Sequence, residues 1–165
     1  MSIDFAVAVD QKKVKLTDLR HETEVALREL LNLSFTPTLT IESGIGEFED
    51  VTTFELPDEG QATLMYLDLP HVNLPPEDQD VFAGVRRVAS INGSGWRTDA
   101  SVALALALAI ALARRIGKPL IDDALHFSTE ISVAPDILLA QVRLKCRHCD
   151  LKTAARELQS SKGLV

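Results

Sequence analysis

The chain has 165 residues, 46% of them apolar, and a formal net charge of −7. This length buries roughly two-thirds of the unfolded surface, enough for one core, so we expect a single globular domain spanning residues 1–165. The acidic balance argues against a nucleic-acid partner because phosphate would be repelled, and the longest apolar run, residues 102–113, is shorter than the roughly 20 residues of a membrane span, so no membrane partner is expected.

The first half of the chain contains both strand and helix patterns. Residues 3–9 alternate between apolar and small or acidic side chains, which predicts a half-buried strand. Apolar residues recur at three- and four-residue steps over residues 16–33, as in an amphipathic helix. The middle is rich in Thr, Val, Ile and Phe and predicts a four-stranded meander, with strands at residues 35–41, 51–56, 62–69 and 82–91.

The clearest turn of this meander is Pro57-Asp58-Glu59-Gly60. Proline sets the backbone of the second residue of a turn, and glycine accepts a positive φ, so we expect a tight hairpin with the positive φ on Gly60. Gly44 and Gly46 predict a looser turn before it.

Both boundaries of a long helix can be read from the second half of the chain. Thr98, Asp99 and Ser101 supply capping oxygens before the longest apolar run. Gly117 ends the helix. The helix is apolar on two nearly opposite sides, so we expect it to lie between the sheet and a second helix that begins near Pro135.

A further short helix is predicted over residues 150–158. Taken together, these elements predict an α+β fold. We expect one domain with a mainly antiparallel sheet of four to five strands packed against three to four helices.

The segment 146–149, Cys-Arg-His-Cys, combines the thiolate and imidazole ligands that zinc favours. A structural zinc site normally needs a second ligand pair, and the other histidines are isolated, so we expect no metal and no cofactor. A redox role would require the motif to open a helix after a strand. We interpret the cysteines as reduced thiols at a helix end, one of them packed inward. Reduced thiols, and a first segment unlike a secretory signal, indicate the cytoplasm.

Asp122, Asp123 and His126 are the residue types of an acid–base cluster, because a carboxylate can orient an imidazole for proton transfer. A small enzyme would combine Asp122 and His126 with Arg97, in the loop that carries Trp96. No nucleophile or phosphate-binding motif accompanies them, so we interpret the cluster as a polar turn without a catalytic residue.

Acidic residues are concentrated between Glu29 and Val85, where the chain has twelve of them and no Lys or Arg. The rest of the chain carries +5. Such a run either keeps the protein soluble or binds a positively charged protein; because solvated faces usually mix both signs, we favour a partner. The candidate partner-binding residues are Glu47, Glu49, Asp50, Asp58, Glu59, Asp68, Glu77, Asp78 and Asp80.

Residues 96–101, Trp-Arg-Thr-Asp-Ala-Ser, precede the alanine-rich helix, which is followed by Gly117 and by Leu-Ile-Asp-Asp at residues 120–123. This arrangement resembles small bacterial immunity proteins, the cytoplasmic antidotes encoded beside polymorphic or contact-dependent toxins. The resemblance covers residues 96–123, about a sixth of the chain. It implies a single-domain α+β protein without enzymatic activity that binds a toxin domain and blocks its active site.

The leading hypothesis is therefore a non-enzymatic inhibitory protein that binds a basic bacterial toxin domain by complementary charge. One alternative is an acidic secretion chaperone or adaptor for an effector protein, which predicts a dimer with a large exposed apolar patch. A second alternative is a small enzyme, which predicts a pocket where Asp122, His126 and Arg97 converge.

Overall fold

One antiparallel sheet and four helices make up the described part of the chain. The structure is a computed structural model that describes residues 5–9, 14–43, 51–69, 84–94, 98–122 and 124–161. The strands are β1 (Phe5–Ala8), β2 (Thr40–Ser43), β3 (Val51–Leu56), β4 (Gly60–Asp68), β5 (Arg87–Ser94), β6 (Leu120–Ile121) and β7 (Ser132–Val133). The helices are α1 (Leu16–Leu31), α2 (Asp99–Ile116), α3 (Pro135–Val142) and α4 (Leu151–Ser160). The sheet order is β2-β3-β4-β5-β1-β6-β7, and each neighbouring pair is antiparallel.

The predicted α+β fold with an antiparallel sheet is confirmed, but the sheet has seven strands instead of four or five. Strand β3 matches its predicted bounds, and β4 and β5 overlap theirs. The sequence does not reveal β6 and β7, because two residues are too few to display an alternating pattern. These two short strands extend the sheet beyond β1.

The first strand of the meander begins later than predicted. The prediction places it at residues 35–41, whereas β2 begins at Thr40. Pro37 has no backbone N–H to donate to a neighbouring strand. The N–H of Leu39 donates to the Glu24 carboxylate at 3.0 Å. This segment is therefore hydrogen-bonded to α1, and the chain enters the sheet only at the residues that follow it.

Helix α2 occupies the centre of the fold. Every residue from Ala103 to Ala113 is buried. Strands β4, β5 and β1 cover one side, and helices α1, α4 and α3 cover the other. Coverage on two sides is therefore confirmed, although α1 provides more of it than the segment that begins near Pro135. None of the helices in the described ranges has the length and apolar character required to cross a bilayer.

Two arginines at the end of α2 bind the outer helices. Arg114 pairs with Glu29 of α1 at 3.5 Å and with Asp136 of α3 at 2.7 Å. Arg115 pairs with two acidic residues of α1. Because these side chains are partly exposed, each pair contributes at most about 1 kcal/mol. Arg114 nevertheless neutralises Glu29, the first residue of the acidic segment that contains no Lys or Arg.

The turn between β3 and β4 lies against the first residues of α2. The N–H of Glu59 donates to the Leu56 carbonyl at 3.0 Å, and the positive φ, 64°, falls on Asp58. The prediction that Gly60 carries the positive φ is wrong. Gly60 is needed for a close approach instead, since a Cβ there would lie 2.6 Å from the Ser101 N and 2.8 Å from its Oγ.

Hydrogen bonds between the turn and α2 fix this approach. The Ser101 Oγ accepts the N–H of Gln61 at 3.0 Å, and the Thr98 hydroxyl donates to the Glu59 carbonyl at 2.8 Å. The Thr98 Oγ1 also accepts the N–H of Ser101 at 3.1 Å, so Thr98 is the N-cap of α2, as predicted. At the other end Gly117 terminates the helix with a φ of 77°, also as predicted.

We predict that Gly60→Ala lowers the free energy of unfolding by about 1–3 kcal/mol, because the added methyl overlaps the backbone of α2. Urea unfolding measures the change. Gln61→Ala, on the next residue, serves as the control, because it retains the N–H that Ser101 accepts and should change stability by less than about 0.5 kcal/mol. Equal stability of Gly60→Ala and the parent protein would contradict the close approach.

Candidate functional site

The candidate partner-binding acids do not form one cluster within the described residues. Six of them lie outside those residues: Glu47, Glu49, Asp50, Glu77, Asp78 and Asp80. Asp58 and Glu59 lie in the β3–β4 turn, whereas Asp68 ends β4, a strand of nine residues. A strand rises about 3.3 Å per residue, so Asp68 is roughly 26 Å from the turn. Because the Debye length in physiological salt is about 8 Å, Asp68 adds little to the field there.

Asp68 is balanced by a base from the opposite strand. Its Oδ1 lies 3.8 Å from the Nε of Arg87, which pairs with it on β5. The same guanidinium lies 4.9 Å from the centre of the Tyr66 ring. Burial raises the pKa of the Tyr66 hydroxyl, and the Arg87 charge opposes that rise. Since the charges compensate here, we do not assign Asp68 to the binding surface.

Four carboxylates meet where the β3–β4 turn reaches the amino termini of two helices. Asp58 and Glu59 belong to the turn, Asp99 is the first residue of α2, and Asp150 is the N-cap of α4. We call these four residues the acidic corner. Hydrogen bonds from the Thr153 hydroxyl and N–H lower the pKa of Asp150. The dipoles of the two helices stabilise the negative charge of Asp99 and Asp150.

Glu59 lies at the centre of the acidic corner. It lines one recess of about 390 Å³ together with Asp58 and Asp99, and a second of about 220 Å³ together with Asp150. Burial raises the pKa of Glu59, and the charges of Asp150 and Asp58 raise it further, whereas Lys152 opposes them. The ionised carboxylate is therefore disfavoured in the folded protein relative to a free glutamate.

Two bases on α4 line the larger recess beside these acids. Lys152 and Arg156 are both exposed. Within the described part of the chain, neither side chain forms an ion pair. Among the described residues of the corner, four carboxylates and two bases leave an excess of negative charge. Charged groups of both signs are thus available there to a partner.

An exposed aromatic side chain lies next to the acidic corner. Phe35 is 40% exposed and lines the smaller recess with Pro37, Pro57 and Glu59. An apolar centre with a charged rim is typical of protein-binding surfaces, in which aromatic residues contribute most of the binding energy. The combination of Phe35 with the acidic corner is therefore the strongest candidate interface in the described residues.

Asp122 has a structural role. Its side chain is fully buried, and its two oxygens accept the backbone N–H groups of His126 at 2.8 Å, Phe127 at 2.7 Å and Ser128 at 3.0 Å. The bond to His126 involves the main chain, so the carboxylate does not orient the imidazole through this contact. The arrangement is that of a polar turn. The other members of the proposed acid–base cluster, Asp123 and Arg97, lie outside the described residues.

The two cysteines are both free and exposed. The expectation that one of them packs inward is wrong, because the loop from α3 to α4 that carries Cys146 and Cys149 lies on the surface. The N–H of His148 in this loop donates to the Asn32 carbonyl at 2.9 Å, and its Nε2 lies 2.8 Å from Glu157 Oε2. Among the described residues, no group of three or more His, Cys, Asp or Glu side chains is arranged to hold a metal ion.

The candidate residues named from the sequence omit two members of the acidic corner. Asp99 reads as a helix-capping residue, and Asp150 reads as the start of the last helix. Asp99 lies about 40 positions and Asp150 about 90 positions from the hairpin turn in the sequence. No local sequence pattern can therefore place either residue beside that turn. Helix-start signals are the one feature of the sequence that could have directed attention to both.

We predict that Asp122→Ala lowers the free energy of unfolding by at least about 2 kcal/mol, because three backbone N–H groups lose their acceptor. Asp122→Asn should cost less, since the amide retains one oxygen. His126→Ala is the matched control: it keeps the backbone bond and should be nearly neutral. Thermal and urea unfolding of the three variants measure these differences. A larger loss for His126→Ala than for Asp122→Ala would contradict the structural role.

We predict that Glu59→Gln stabilises the protein at pH 7 by at most about 0.5 kcal/mol, because water screens the charge of this partly exposed side chain. A carboxyl whose folded pKa is raised contributes stability that is fully present below its unfolded value of 4.5 and lost as the pH rises through the folded pKa. Glutamine avoids that loss, so the difference should disappear near pH 4. Urea unfolding at both pH values measures this difference.

In a carboxyl NMR titration, Asp150→Asn should lower the pKa of Glu59 more than Asp58→Asn does.

No protein-family model, no curated protein and no solved structure matches this chain.

Proposed function

We propose that this protein is a non-enzymatic binding protein of the immunity type, which neutralises a basic toxin domain through its acidic corner. The observation that carries the proposal is the convergence of four carboxylates from three elements beside an exposed phenylalanine. The resemblance of residues 96–123 to immunity proteins supports the same function. We place the binding surface on Asp58, Glu59, Asp99, Asp150 and Phe35.

Recognition begins with the charge of the acidic corner. Its excess negative potential steers a basic partner and raises the association rate. In the complex, a Lys or Arg of the toxin enters the recess beside Asp58 and Glu59, where contact with the partner removes water from the charge pair. Phe35 supplies the apolar anchor that a stable interface requires near its centre. Charge therefore sets the rate of encounter, while Phe35 slows dissociation.

Glu59 supports a binding role because its charge lowers the stability of the free protein. Its ionised form is disfavoured by burial and by the neighbouring carboxylates. A cation from a partner reverses this balance and lowers the pKa of Glu59, so binding releases a proton at mildly acidic pH. Charges that reduce stability in the free state are characteristic of sites selected for function.

Inhibition follows when the partner's basic surface is its own substrate cleft. A toxin that acts on nucleic acid needs positive charge to hold phosphate. An acidic protein that occupies this cleft excludes the nucleic acid both by its volume and by its charge. Blocking of this kind requires no catalytic residue in the inhibitor.

The two alternative functions have less support. A secretion chaperone needs a continuous apolar surface, but among the large exposed apolar side chains of the described residues Val25, Phe35 and Leu125 line three different recesses. A small enzyme needs a carboxylate that orients the His126 imidazole, but both oxygens of Asp122 accept main-chain N–H groups.

We predict that the triple variant Asp58→Asn, Glu59→Gln, Asp150→Asn associates with the toxin domain roughly tenfold more slowly at low salt. The salt dependence of the association rate should also flatten, because fewer charges are screened. Asparagine is a good N-cap, so the change at Asp150 preserves α4. The partner is obtained by pull-down from the native host, and stopped-flow mixing at several salt concentrations measures the rates.

The control for this experiment removes the same number of charges elsewhere. The control variant carries Asp18→Asn, Glu22→Gln and Asp136→Asn. In the parent protein these three acids contact the arginines at the carboxyl end of α2. At 1.5 Å per residue, the 18-residue helix separates them from the acidic corner by roughly 25 Å. The control triple should associate within about twofold of the parent rate. Equal slowing by both triples would attribute the effect to net charge and remove the acidic corner from the proposal.

A further inference from the structure

A third, larger recess lies on another part of the surface and shares no lining residue with the two recesses of the acidic corner. The loop after β6 and the segment after α3 form its walls, and the last turn of α4 closes it. Its volume is about 580 Å³, within the range of about 300–1,000 Å³ that small-molecule sites occupy. We call this recess, with Leu125, Phe127, Val142 and Leu144 among its lining residues, the α3–α4 groove.

The α3–α4 groove has a basic character, opposite in sign to the acidic corner. Arg143 and Lys145 contribute two cations to a lining that combines four apolar side chains with His126, Gln141 and three hydroxyl side chains. Within the described part of the chain, neither side chain forms an ion pair. The acidic lining residue, Glu157, has its Oε2 2.8 Å from His148 Nε2. The groove therefore offers positive charge that its own acid does not occupy.

Leu125 lines the groove from an unusual backbone conformation. Its φ of 52° lies in the left-handed region, which leucine rarely adopts and which glycine or asparagine would adopt more readily. The side chain is nevertheless apolar and 49% exposed. The hydrogen bonds of Asp122 hold the loop in this conformation. A strained backbone that presents an apolar side chain to solvent is a feature of binding sites.

We propose that the α3–α4 groove binds a medium-chain carboxylate, an apolar chain that ends in one negative charge. The apolar side chains accommodate the hydrocarbon, and the carboxylate pairs with Arg143 or Lys145, whose donors suit its oxygens. The loop is already fixed in the free protein, so little conformational entropy is lost on binding. This site is independent of the acidic corner and of the proposed toxin binding.

The two cysteines allow a direct test in the intact chain. Cys146 lines the α3–α4 groove, whereas Cys149 lines the smaller recess of the acidic corner. A small trifluoromethyl tag is attached to Cys146 in the Cys149→Ser variant, and to Cys149 in the Cys146→Ser variant as the matched control. Decanoate, kept below its critical micelle concentration, is titrated into each protein and followed by fluorine NMR. We expect a saturable shift at Cys146 and no shift at Cys149.

Variants of the groove test the contributions of its cations and of its apolar side chains separately. Replacing Arg143 and Lys145 with alanine should weaken decanoate binding about tenfold. Lys15→Ala, at an exposed position before α1, should leave it unchanged. Leu125→Asn should weaken binding about threefold while stability is kept or increased, because asparagine accepts the positive φ. Decanol should bind more weakly than decanoate, and decyltrimethylammonium should not bind.

Three results would overturn the proposal. The first is the absence of a saturable shift at Cys146 with decanoate. The second is equal binding of decanoate and decyltrimethylammonium, which would show that the cations do not select the ligand. The third is an unchanged affinity in the Arg143→Ala, Lys145→Ala variant with its fold verified by circular dichroism. None of these outcomes bears on toxin binding at the acidic corner.

Discussion

The fold depends on the complete removal of α2 from water. Fourteen of its 18 residues are buried, so sheet and helices must cover it from opposite sides. Its amino-terminal turn meets the sheet with almost no space between them. A Cβ on Gly93 would lie 3.2 Å from the Ser101 carbonyl oxygen, and Gly60 permits an even closer approach on the neighbouring strand. Because this packing fixes the β3–β4 turn against the helix, it also places Asp58 and Glu59.

The sequence predicts the parts of this arrangement that depend on neighbouring residues. It does not show which residues far apart in the chain come into contact. The caps Thr98 and Gly117 define α2 correctly, since capping depends on adjacent residues. Strands β6 and β7 are too short to show a pattern; β6 pairs with the edge of β1, and β7 pairs with β6. The acidic run was misleading in part, since charges summed along a chain do not show which bases fold onto them. Glu29 and Asp68 are balanced by Arg114 and Arg87 from outside the run.

The composition of the acidic corner reflects two separate physical causes. Asp99 and Asp150 stand at helix amino termini, where carboxylates are stabilising and need no partner to explain them. Asp58 and Glu59 belong to a turn instead, where burial and the charges of Asp150 and Asp58 raise the pKa of Glu59 although Lys152 opposes the rise. Hydrogen bonds from Thr153 hold the Asp150 carboxylate in a fixed position. This rigidity reduces the entropy lost when a partner binds.

The position of β1 between β5 and β6 has a consequence for biosynthesis. Phe5 pairs with Ile91, 86 positions later in the chain. A ribosome that adds about 5–20 residues per second needs roughly 4–17 s to synthesise that interval. The meander can assemble strand by strand as it emerges, but the first strand must wait for β5. Its apolar side chains are therefore exposed to the cellular environment for longer than those of any other strand described in the sheet, and nascent-chain chaperones have that time in which to bind them.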